Sequence, residues 1–360
     1  MRMIAFLFWT RPEIIKLYPL IKYCLNNDVK FILVHSNQHY SHNLDTVFFE
    51  ELKIPNPSYN LNIWSWSHAF QTARILDWLD EVFNHVKIDF LFVHGDTNTT
   101  LAWWLFASKK WIKLVHIEAW LRSYDRSMPE EINRIIVDSI SDYLFTPTKE
   151  AKNILLNEWI SSGKILVSWN TIVDAIKLAL DNIISKEKLT SIFNLNGPFI
   201  LLTIHRPSNT VSGDFFIKIL NYINDFACKK HFQVIFPIHP RTEKLLSEKE
   251  KETFPNISFI EPVWFLEMLA LEKYSDLIIS DSWWIQEEAY ILKKKMLVLR
   301  NNTERPEVME SWNINLLPPE NLVNIEKIFN KLNFNQQKYS NVLGDGSSAK
   351  KIFNFLNSSI

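Results

Sequence analysis

The feature that most constrains the fold is the stretch LIISDSWWIQEEA at residues 277–289. Leu277–Ser280 is apolar enough to predict a buried strand, Asp281-Ser282 predicts a turn, and a helix is predicted to start near Ile285. In α/β proteins such an arrangement forms an anion or sugar-nucleotide site, because free N–H groups and the helix dipole meet the ligand. A backbone that approaches a ligand closely needs glycine, yet Trp283-Trp284 stands at this point.

Glycine is scarce throughout the chain. The 360 residues include 6 glycines and 14 tryptophans, whereas average usage of about 7% would give roughly 25 glycines. A protein with many tight turns cannot easily do without glycine. The apolar content of 47% is ample for hydrophobic cores, and the length predicts two domains.

Charge and cysteine usage exclude several classes of protein. The net charge of −1 favours neither nucleic acid nor an anionic membrane as a partner. Cys24 and Cys228 match no metal-binding spacing and indicate reduced thiols. The apolar run Met1–Phe8 is too short for a signal peptide and predicts a strand, and no run reaches membrane-spanning length. We therefore expect a cytoplasmic protein with no nucleic-acid or membrane partner.

Strands and helices alternate along the whole chain, which predicts the α/β class. One predicted helix, Gln71–Val86, places Ala73, Leu76, Leu79 and Phe83 on one face. Two successive βαβ series imply two Rossmann-like, doubly wound domains that face each other across a cleft. The predicted strands are Met3–Phe8, Phe31–His35, Asp89–Val93, Leu114–Ile117, Tyr143–Thr146, Ile165–Ser168, Phe199–Thr203, Gln233–Phe236, Ile257–Ile260, Leu277–Ser280 and Met296–Leu299.

Polar side chains follow several of these strands at their carboxyl ends. Ligands of doubly wound folds bind at that edge of the sheet, so the recurrence indicates an active-site cleft. The residues are Asp96, Glu118, His205, His239 and the pair Asp281-Ser282.

Six motifs occur in a fixed order along the chain: FWTRPEIIK at 8–16, VHGDT at 93–97, HIEAWLR at 116–122, PEEINR at 129–134, DSWWIQEE at 281–288 and TERPE at 303–307. Together they resemble the non-hydrolysing UDP-N-acetylglucosamine 2-epimerases over nearly the whole chain. This resemblance implies the glycosyltransferase-B architecture, with a domain at 1–168 for the acid/base residues, a UDP-binding domain at 169–343, and a C-terminal helix at 344–360 that packs back on the first domain.

The resemblance implies interconversion of UDP-N-acetylglucosamine and UDP-N-acetylmannosamine, for surface polysaccharide precursors, without cofactor or metal. Elimination of UDP to a glycal and its re-addition need a carboxylate base and acid, and cations at the leaving pyrophosphate. A homodimer and a second UDP-sugar as activator are also implied. The matching catalytic positions are Lys16, Asp96, Glu118, Glu130, Arg134 and His205. The matching UDP-binding positions are Arg11, Ser282, Trp283, Trp284, Glu288 and Arg305, with Glu288 expected to hold the ribose hydroxyls. The activator positions are Gln38, His39, Arg74 and His239.

Tryptophan stands where the family pattern has glycine. Trp9, Trp120, Trp169 and the pair Trp283-Trp284 fall at such positions. We interpret all 14 as UGA codons that the source organism reads as glycine, since the two counts together approach ordinary glycine usage. On this interpretation none is an ordinary core tryptophan. The remaining nine are Trp64, Trp66, Trp78, Trp103, Trp104, Trp111, Trp159, Trp264 and Trp312.

Three alternatives to this epimerase stay open at the level of sequence. One is a sister epimerase for a modified sugar, such as a UDP-diacetamido-uronic acid, and another is a hydrolysing variant that releases N-acetylmannosamine. The third is an inactive relative of the same fold that serves as an interaction module. The presence of every acidic and basic motif residue favours an enzyme over the last of these.

Overall fold

The structure is a computed structural model, and it divides into two compact units that are described separately. It describes residues 2–8, 11–35, 48–60, 67–120, 122, 124–126, 128–303, 306–309, 313–332 and 341–358. The first unit comprises Met1–Leu178 together with Leu343–Ile360, and the second unit comprises Ala179–Val342.

The first unit is built on a seven-stranded parallel sheet with the order β3-β2-β1-β4-β5-β6-β7. The order reverses between β1 and β4, which makes this the point where a doubly wound sheet binds its ligand. A helical segment at 48–52 and a 3-10 turn at Ser162–Lys164 accompany the sheet. Its elements are β1 Met3–Phe8, α1 Arg11–Asn26, β2 Lys30–His35, β3 Tyr59–Asn60, α2 His68–Phe83, β4 Phe90–His94, α3 Asn98–Lys109, β5 Lys113–Ile117, α4 Pro129–Ile140, β6 Tyr143–Thr146, α5 Lys149–Asn157, β7 Ile165–Val167 and α6 Thr171–Leu180.

The second unit repeats the architecture with a six-stranded parallel sheet of order β10-β9-β8-β11-β12-β13. Here the order reverses between β8 and β11. A 3-10 turn at Pro319–Asn324 completes the unit. Its elements are α7 Lys186–Ile192, β8 Phe199–Thr203, α8 Gly213–Lys230, β9 Gln233–Pro237, α9 Pro240–Glu243, α10 Glu248–Lys251, β10 Ile257–Ile260, α11 Phe265–Tyr274, β11 Leu277–Ser280, α12 Trp283–Ile291, β12 Met296–Val298, α13 Pro306–Met309, β13 Ile314–Leu316 and α14 Ile325–Phe329.

The central strands are continuous apolar runs because both faces of each sheet are covered by helices. Every residue of β4, β8 and β11 is buried. All eleven predicted strands are present, with ends that differ by at most one residue from the prediction. The α/β prediction with two parallel, doubly wound sheets is therefore confirmed.

Helix α2 differs from its prediction in position and in its buried face. It begins at His68 and ends at Phe83, and its buried residues are Gln71, Ile75, Leu79 and Phe83. Ala73 is exposed, so its place on the predicted buried face was wrong. Ile75 packs in the core, where the prediction had placed Leu76. The predicted apolar face was therefore displaced around the helix.

The first unit extends beyond residue 168 because α6 is bonded to the last helix, α15 (Ser348–Ser358). The Asp174 carboxylate accepts hydrogen bonds from the backbone N–H groups of Ser348 at 3.2 Å and Ala349 at 3.1 Å. These bonds satisfy donors at the start of α15 that have no partner within the helix. The rings of Tyr23 and Phe353 stack 4.3 Å apart and hold α15 against α1.

None of the helices in the described part of the chain is long and apolar enough to cross a membrane.

Candidate active site

A buried cluster of charges lies at the carboxyl ends of β4 and β5 in the first unit. Lys16 on α1 is fully buried, and its Nζ lies 3.2 Å from Oε1 and 3.1 Å from Oε2 of Glu118. The same Nζ donates a hydrogen bond of 2.8 Å to Oδ1 of Asn170. His94 Nε2 lies 2.5 Å from Oε2 of Glu118. One carboxylate is thus held by an ammonium and an imidazole away from bulk water.

Glu118 has a backbone conformation that L-residues rarely adopt. Its φ is +61°, in the left-handed region, which costs a non-glycine residue about 1–3 kcal/mol and is found preferentially at functional sites. The ion pair with Lys16 and the contact with His94 fix the side chain that this backbone presents. The strain and the two partners together mark Glu118 as the centre of the first-unit cluster.

A second carboxylate–cation pair joins Asp96, which follows β4, to Arg134 on α4. Arg134 Nε donates a 2.6 Å hydrogen bond to Oδ2 of Asp96, and its other nitrogen donates at 3.1 Å to Glu131. Asn133 donates from Nδ2 to the backbone oxygen of Asp96 at 2.8 Å. The side chain of Asp96 remains 21% exposed, so this carboxylate is positioned and still accessible to a ligand.

Glu130 stands apart from these contacts. It is exposed on the first turn of α4, whereas the neighbouring Glu131 is buried and bonded to Arg134. The helix turns these two successive side chains in different directions. The structure therefore brings Lys16, Glu118, Asp96 and Arg134 into bonded pairs, and leaves Glu130 on the helix surface.

The second unit carries its polar cluster at the carboxyl ends of β8 and β11. Asp281 is completely buried and accepts hydrogen bonds from the backbone N–H groups of His205 and Arg206, at 3.1 and 2.9 Å, and from Asn209 Nδ2 at 2.9 Å. His205 Nδ1 lies 3.1 Å from the same carboxyl group. Burial alone would raise the pKa of Asp281, but the bonds from His205, Arg206 and Asn209 outweigh burial and lower it.

The contact with Asp281 orients the imidazole of His205. With Nδ1 facing the carboxylate, Nε2 is the ring nitrogen that points away from it, and the side chain is 48% exposed. A carboxylate behind a histidine holds the ring in one orientation, as in other acid–base sites. His205 therefore presents Nε2 to a ligand.

Helix α12 starts directly after this cluster. It begins at Trp283, two residues before the predicted start near Ile285, and Ser282 is its N-cap residue. Both tryptophans lie within the helix, and neither has a positive φ. Their rings lie 4.2 Å apart at the end of the helix that an anion would approach.

Other predicted positions are placed as follows. Glu288 is buried on α12. His239 caps α9 through Nδ1, and burial followed by the charges of Arg241 and His205 lowers its pKa. Arg74 is 61% exposed and pairs with Asp77 one turn away. The predicted positions outside the described part of the chain are Trp9, Gln38, His39, Trp64, Trp66, Arg305, Trp312 and the side chain of Arg11.

Comparisons with known proteins decide the family. The model of the UDP-N-acetylglucosamine 2-epimerase family matches residues 23–357. The UDP-N-acetylglucosamine 2-epimerase of Methanococcus maripaludis is 46% identical over 364 residues, with 98% of each chain covered. The chain belongs to the UDP-N-acetylglucosamine 2-epimerase family.

Solved structures of epimerases share the fold. The UDP-GlcNAc 2-epimerase of Methanocaldococcus jannaschii, solved with UDP-GlcNAc and UDP, is 43% identical with a TM-score of 0.83, covering 99% of this chain and 100% of that chain. The enzyme of Neisseria meningitidis, solved with UDP-GlcNAc, is 33% identical with a TM-score of 0.84 over 99% of this chain and 100% of that chain. The prediction of a glycosyltransferase-B-type fold for this chain is confirmed.

Three bonded residues, His94, Asn170 and Glu131, were missed in the sequence analysis, which named Asp281 at the end of its strand without a role. His94 is the last residue of β4, so the rule that selected Asp96 also pointed to it. The bonding partner of Asn170 lies far away in sequence, and that of Glu131 lies on the same helix. Neither residue was therefore singled out by the sequence. Among the described residues, no group of three or more His, Cys, Asp or Glu side chains is placed to hold a metal ion.

Proposed function

We propose that this chain interconverts UDP-N-acetylglucosamine and UDP-N-acetylmannosamine by elimination and re-addition of UDP. The observation that carries the proposal is the buried Lys16–Glu118–His94 cluster at the sheet edge where doubly wound folds bind ligands. Its support is a family match over residues 23–357 and similar structures that were solved with UDP-GlcNAc.

The first step is a proton abstraction. A carboxylate takes the C2 proton, the C2–H electron pair forms the C1=C2 double bond, and UDP leaves with the electron pair of the C1–O bond. The three candidate carboxylates are Asp96, Glu118 and Glu130. Lys16 and Arg134 supply positive charge beside two of them.

The second step reverses the first on the other face of C2. A carboxyl group returns a proton to C2 while an oxygen of UDP re-forms the bond to C1. His205, backed by Asp281, donates a hydrogen bond to the departing and returning phosphate. The start of α12, with Ser282, binds the diphosphate, and the Glu288 carboxylate accepts hydrogen bonds from the ribose hydroxyls. Arg11 and Arg305 complete the UDP site.

Solvent exchange tests the elimination route. In deuterated water, with UDP-N-acetylglucosamine as substrate, we expect both sugars to carry deuterium at C2, measured by proton NMR and mass spectrometry. Product that forms without deuterium at C2 would refute the elimination. The same assay with a UDP-diacetamido-uronic acid separates the sister activity, since a relative named for that epimerase is 33% identical to this chain.

We further propose that the native protein has glycine at the tryptophan positions. Four of the ten described tryptophans, Trp111, Trp120, Trp159 and Trp169, have φ between +59° and +99°. Left-handed backbone costs an L-residue about 1–2 kcal/mol and costs glycine nothing.

Two of these tryptophans terminate helices. Trp111 and Trp159 follow the C-cap residues of α3 and α5, where glycine is the common residue. Their side chains are 92% and 95% exposed, so they gain little from burial. At Trp169, the Cβ carbon lies 2.4 Å from the point where a Cβ on Gly344 would stand, which indicates a close approach of two backbones.

Two other tryptophans do not follow this pattern. Trp103 and Trp104 are fully buried in the core of the first unit, and Trp104 Nε1 donates to the backbone oxygen of Val137 at 2.8 Å. The expectation that no tryptophan occupies a core position was therefore wrong for this pair. A glycine in the middle of α3 would need closer packing of α2 and α4 against it, since both contact α3.

Peptide mass spectrometry of the protein from its own source organism tests the recoding. Tryptic peptides that span positions 283 and 284 should have the mass of Gly-Gly. The Trp-Trp mass would refute the proposal, and the chain as printed would then bind UDP poorly, because two indoles occupy the helix start that the diphosphate needs.

We also propose a cytoplasmic homodimer that binds a second UDP-sugar as an activator. The exposed Arg74 and His239 are the described residues of the activator site. Sedimentation of the purified chain should give the mass of a dimer. Initial rates should rise sigmoidally with UDP-N-acetylglucosamine, and hyperbolic kinetics would exclude the activator.

A further inference from the structure

A buried network of polar side chains joins β5, α4 and α5 in the first unit. Its centre is the carboxylate of Asp138 on α4. His116 Nδ1 lies 2.6 Å from Oδ1 of this carboxylate, and Arg122 Nη1 donates a hydrogen bond of 2.7 Å to Oδ2. The side chains of His116, Arg122 and Asp138 are 3%, 1% and 0% exposed. The proposed reaction gives none of these three residues a role.

The guanidinium of Arg122 also binds a second carboxylate. Its Nε and Nη2 donate to the two oxygens of Glu158 at 2.9 and 2.6 Å. Glu158 is the C-cap residue of α5. A double hydrogen bond of this kind fixes the plane of a guanidinium. The orientation in which Nη1 meets Asp138 is therefore set by α5.

The network holds the chain on both sides of Glu118. His116 precedes Glu118 by two residues and Arg122 follows it by four, so one carboxylate is bonded to both ends of the segment 116–122. Between these ends, Glu118 has its φ of +61°, and the Ala119 N–H donates to the carbonyl oxygen of Phe145 at 3.1 Å. Left-handed backbone at a non-glycine residue persists only where the surrounding structure over-determines it. The bonds at the ends of the segment supply such a constraint.

We propose that Asp138 is a positioning residue, which bonds to both ends of the segment 116–122 and so holds Glu118 in the conformation that pairs with Lys16. The inference rests on the proposed function, in which Glu118 is one of the candidate carboxylates for proton transfer at C2. Loss of the Asp138 carboxylate removes one hydrogen bond from each end of the segment. The backbone at Glu118 can then relax, and a displacement of about 1 Å in a reacting group lowers a rate by up to about 10²-fold.

Exchange of the C2 proton in deuterated water tests the inference on the full chain with glycine at the 14 tryptophan positions. Asp138→Asn keeps the size of the side chain and removes its charge, and it should lower kcat about 10–100-fold. The Kd of UDP, measured by calorimetry, should stay unchanged, because the segment 116–122 contributes no residue to the proposed UDP site. A weaker Kd with an unchanged kcat would contradict the inference.

Asp142→Asn is the matched control at the other end of the same strand. Asp142 accepts hydrogen bonds from Lys113 Nζ at 2.8 Å and from the Leu114 N–H at 3.0 Å, and these are the first two residues of β5. The substitution removes the same charge next to the same strand, at the opposite edge of the sheet from Glu118. It should leave kcat unchanged. Equal losses of kcat in Asp138→Asn and Asp142→Asn would show a general effect on the sheet and overturn the inference.

Two variants of His116 cover the case in which Asp138→Asn does not fold, since both keep the pair of Arg122 and Asp138. His116→Asn retains an N–H donor for the carboxylate and should keep most of the parent kcat. His116→Leu has no donor and should lower kcat about tenfold, the size expected for one hydrogen bond to a charged group. Equal kcat values for the two variants would rule out the proposed constraint.

Unfolding of the printed chain tests the constraint without ligand. If Asp138 holds Glu118 against Lys16, part of that ion pair is already lost in Asp138→Asn. Lys16→Met should therefore lower the unfolding midpoint by at least about 2 °C less in the Asp138→Asn chain than in the parent chain. In the Asp142→Asn chain the decrease should equal that of the parent. Additive effects of Asp138→Asn and Lys16→Met would refute the inference.

Glu118→Gln separates failure of this inference from failure of the proposed function. It should abolish C2 exchange. If it does so and Asp138→Asn turns over like Asp142→Asn, Asp138 does not position Glu118 and the proposed function stands. If Glu118→Gln exchanges the C2 proton as fast as the parent chain, Glu118 has no role in the proton transfer, and the inference falls with that assignment.

Discussion

Replacement of Lys16 by methionine isolates the buried ion pair of the first unit. Methionine fills a similar volume and removes the ammonium that lies 3.1 Å from Glu118. The two side chains are 0% and 3% exposed, so water cannot replace the lost partner. Removal of one member of a buried pair typically costs about 3–5 kcal/mol. Since His94 still contacts Glu118, we expect the lower end, about 3 kcal/mol.

Thermal and urea unfolding followed by circular dichroism measure this cost. A loss of about 3 kcal/mol lowers the unfolding midpoint of a unit of this size by roughly 6–12 °C. The matched control is Lys113→Met, which breaks the Lys113–Asp142 pair of 2.8 Å at the surface, where the two side chains are 55% and 30% exposed. Surface pairs contribute about 1 kcal/mol or less.

A double-mutant cycle with Glu118→Gln then assigns the effect to the pair. With the carboxylate neutralised, Lys16→Met should cost at least about 1 kcal/mol less than it does in the parent chain. The reasoning is refuted if Lys16→Met is no more destabilising than Lys113→Met, or if the cycle shows no coupling. Both Lys16→Met and Glu118→Gln should also abolish C2 exchange in deuterated water.

The other predictions concern Asp96, Asp281 and the two exposed tryptophans Trp111 and Trp159. Asp96→Asn should keep the fold and lower turnover about 10²–10⁴-fold, as measured by NMR assay of product, because removal of a general acid or base has this effect; full turnover would remove Asp96 from the mechanism. Asp281 has a pKa lowered on folding, so its contribution to stability is present above its unfolded pKa and is lost as pH falls through the folded value. Asp281→Asn should therefore flatten the acid limb of the stability profile below about pH 4, and an unchanged acid limb would contradict the assigned network. Trp111→Gly and Trp159→Gly should each stabilise the printed chain by about 1 kcal/mol in urea unfolding, whereas destabilisation would show that the indoles are native.

Much of the candidate site was predictable because it depends on local rules. Strands such as Leu277–Ser280 are apolar runs of the right length, and parallel sheets expose functional groups at their carboxyl ends. Asp96, Glu118 and His205 follow from that rule, and the motif order pointed to Lys16 and Arg134. Each of these residues is found in a bonded pair or network in the structure.

Contacts between charged side chains and distant segments could not be predicted from the sequence. Lys16 and Asn170 are 154 residues apart and meet because α1 and the turn after β7 lie at the same edge of one sheet. Long-range contacts of this kind are set by topology, which residue spacing alone does not encode.

The tryptophans also differ in what the sequence and the tertiary structure each reveal about them. Their number and their positions in motifs are the basis of the proposal that the native residue is glycine, since turn chemistry depends on the backbone of a few consecutive residues. Only the folded chain separated Trp111 and Trp159, which are exposed with positive φ, from Trp103 and Trp104, which are buried in a helix. Sequence determined the secondary structure and the motif residues because those depend on neighbours along the chain. Tertiary structure decided burial, backbone strain and the partner of each charge, because these depend on neighbours in space.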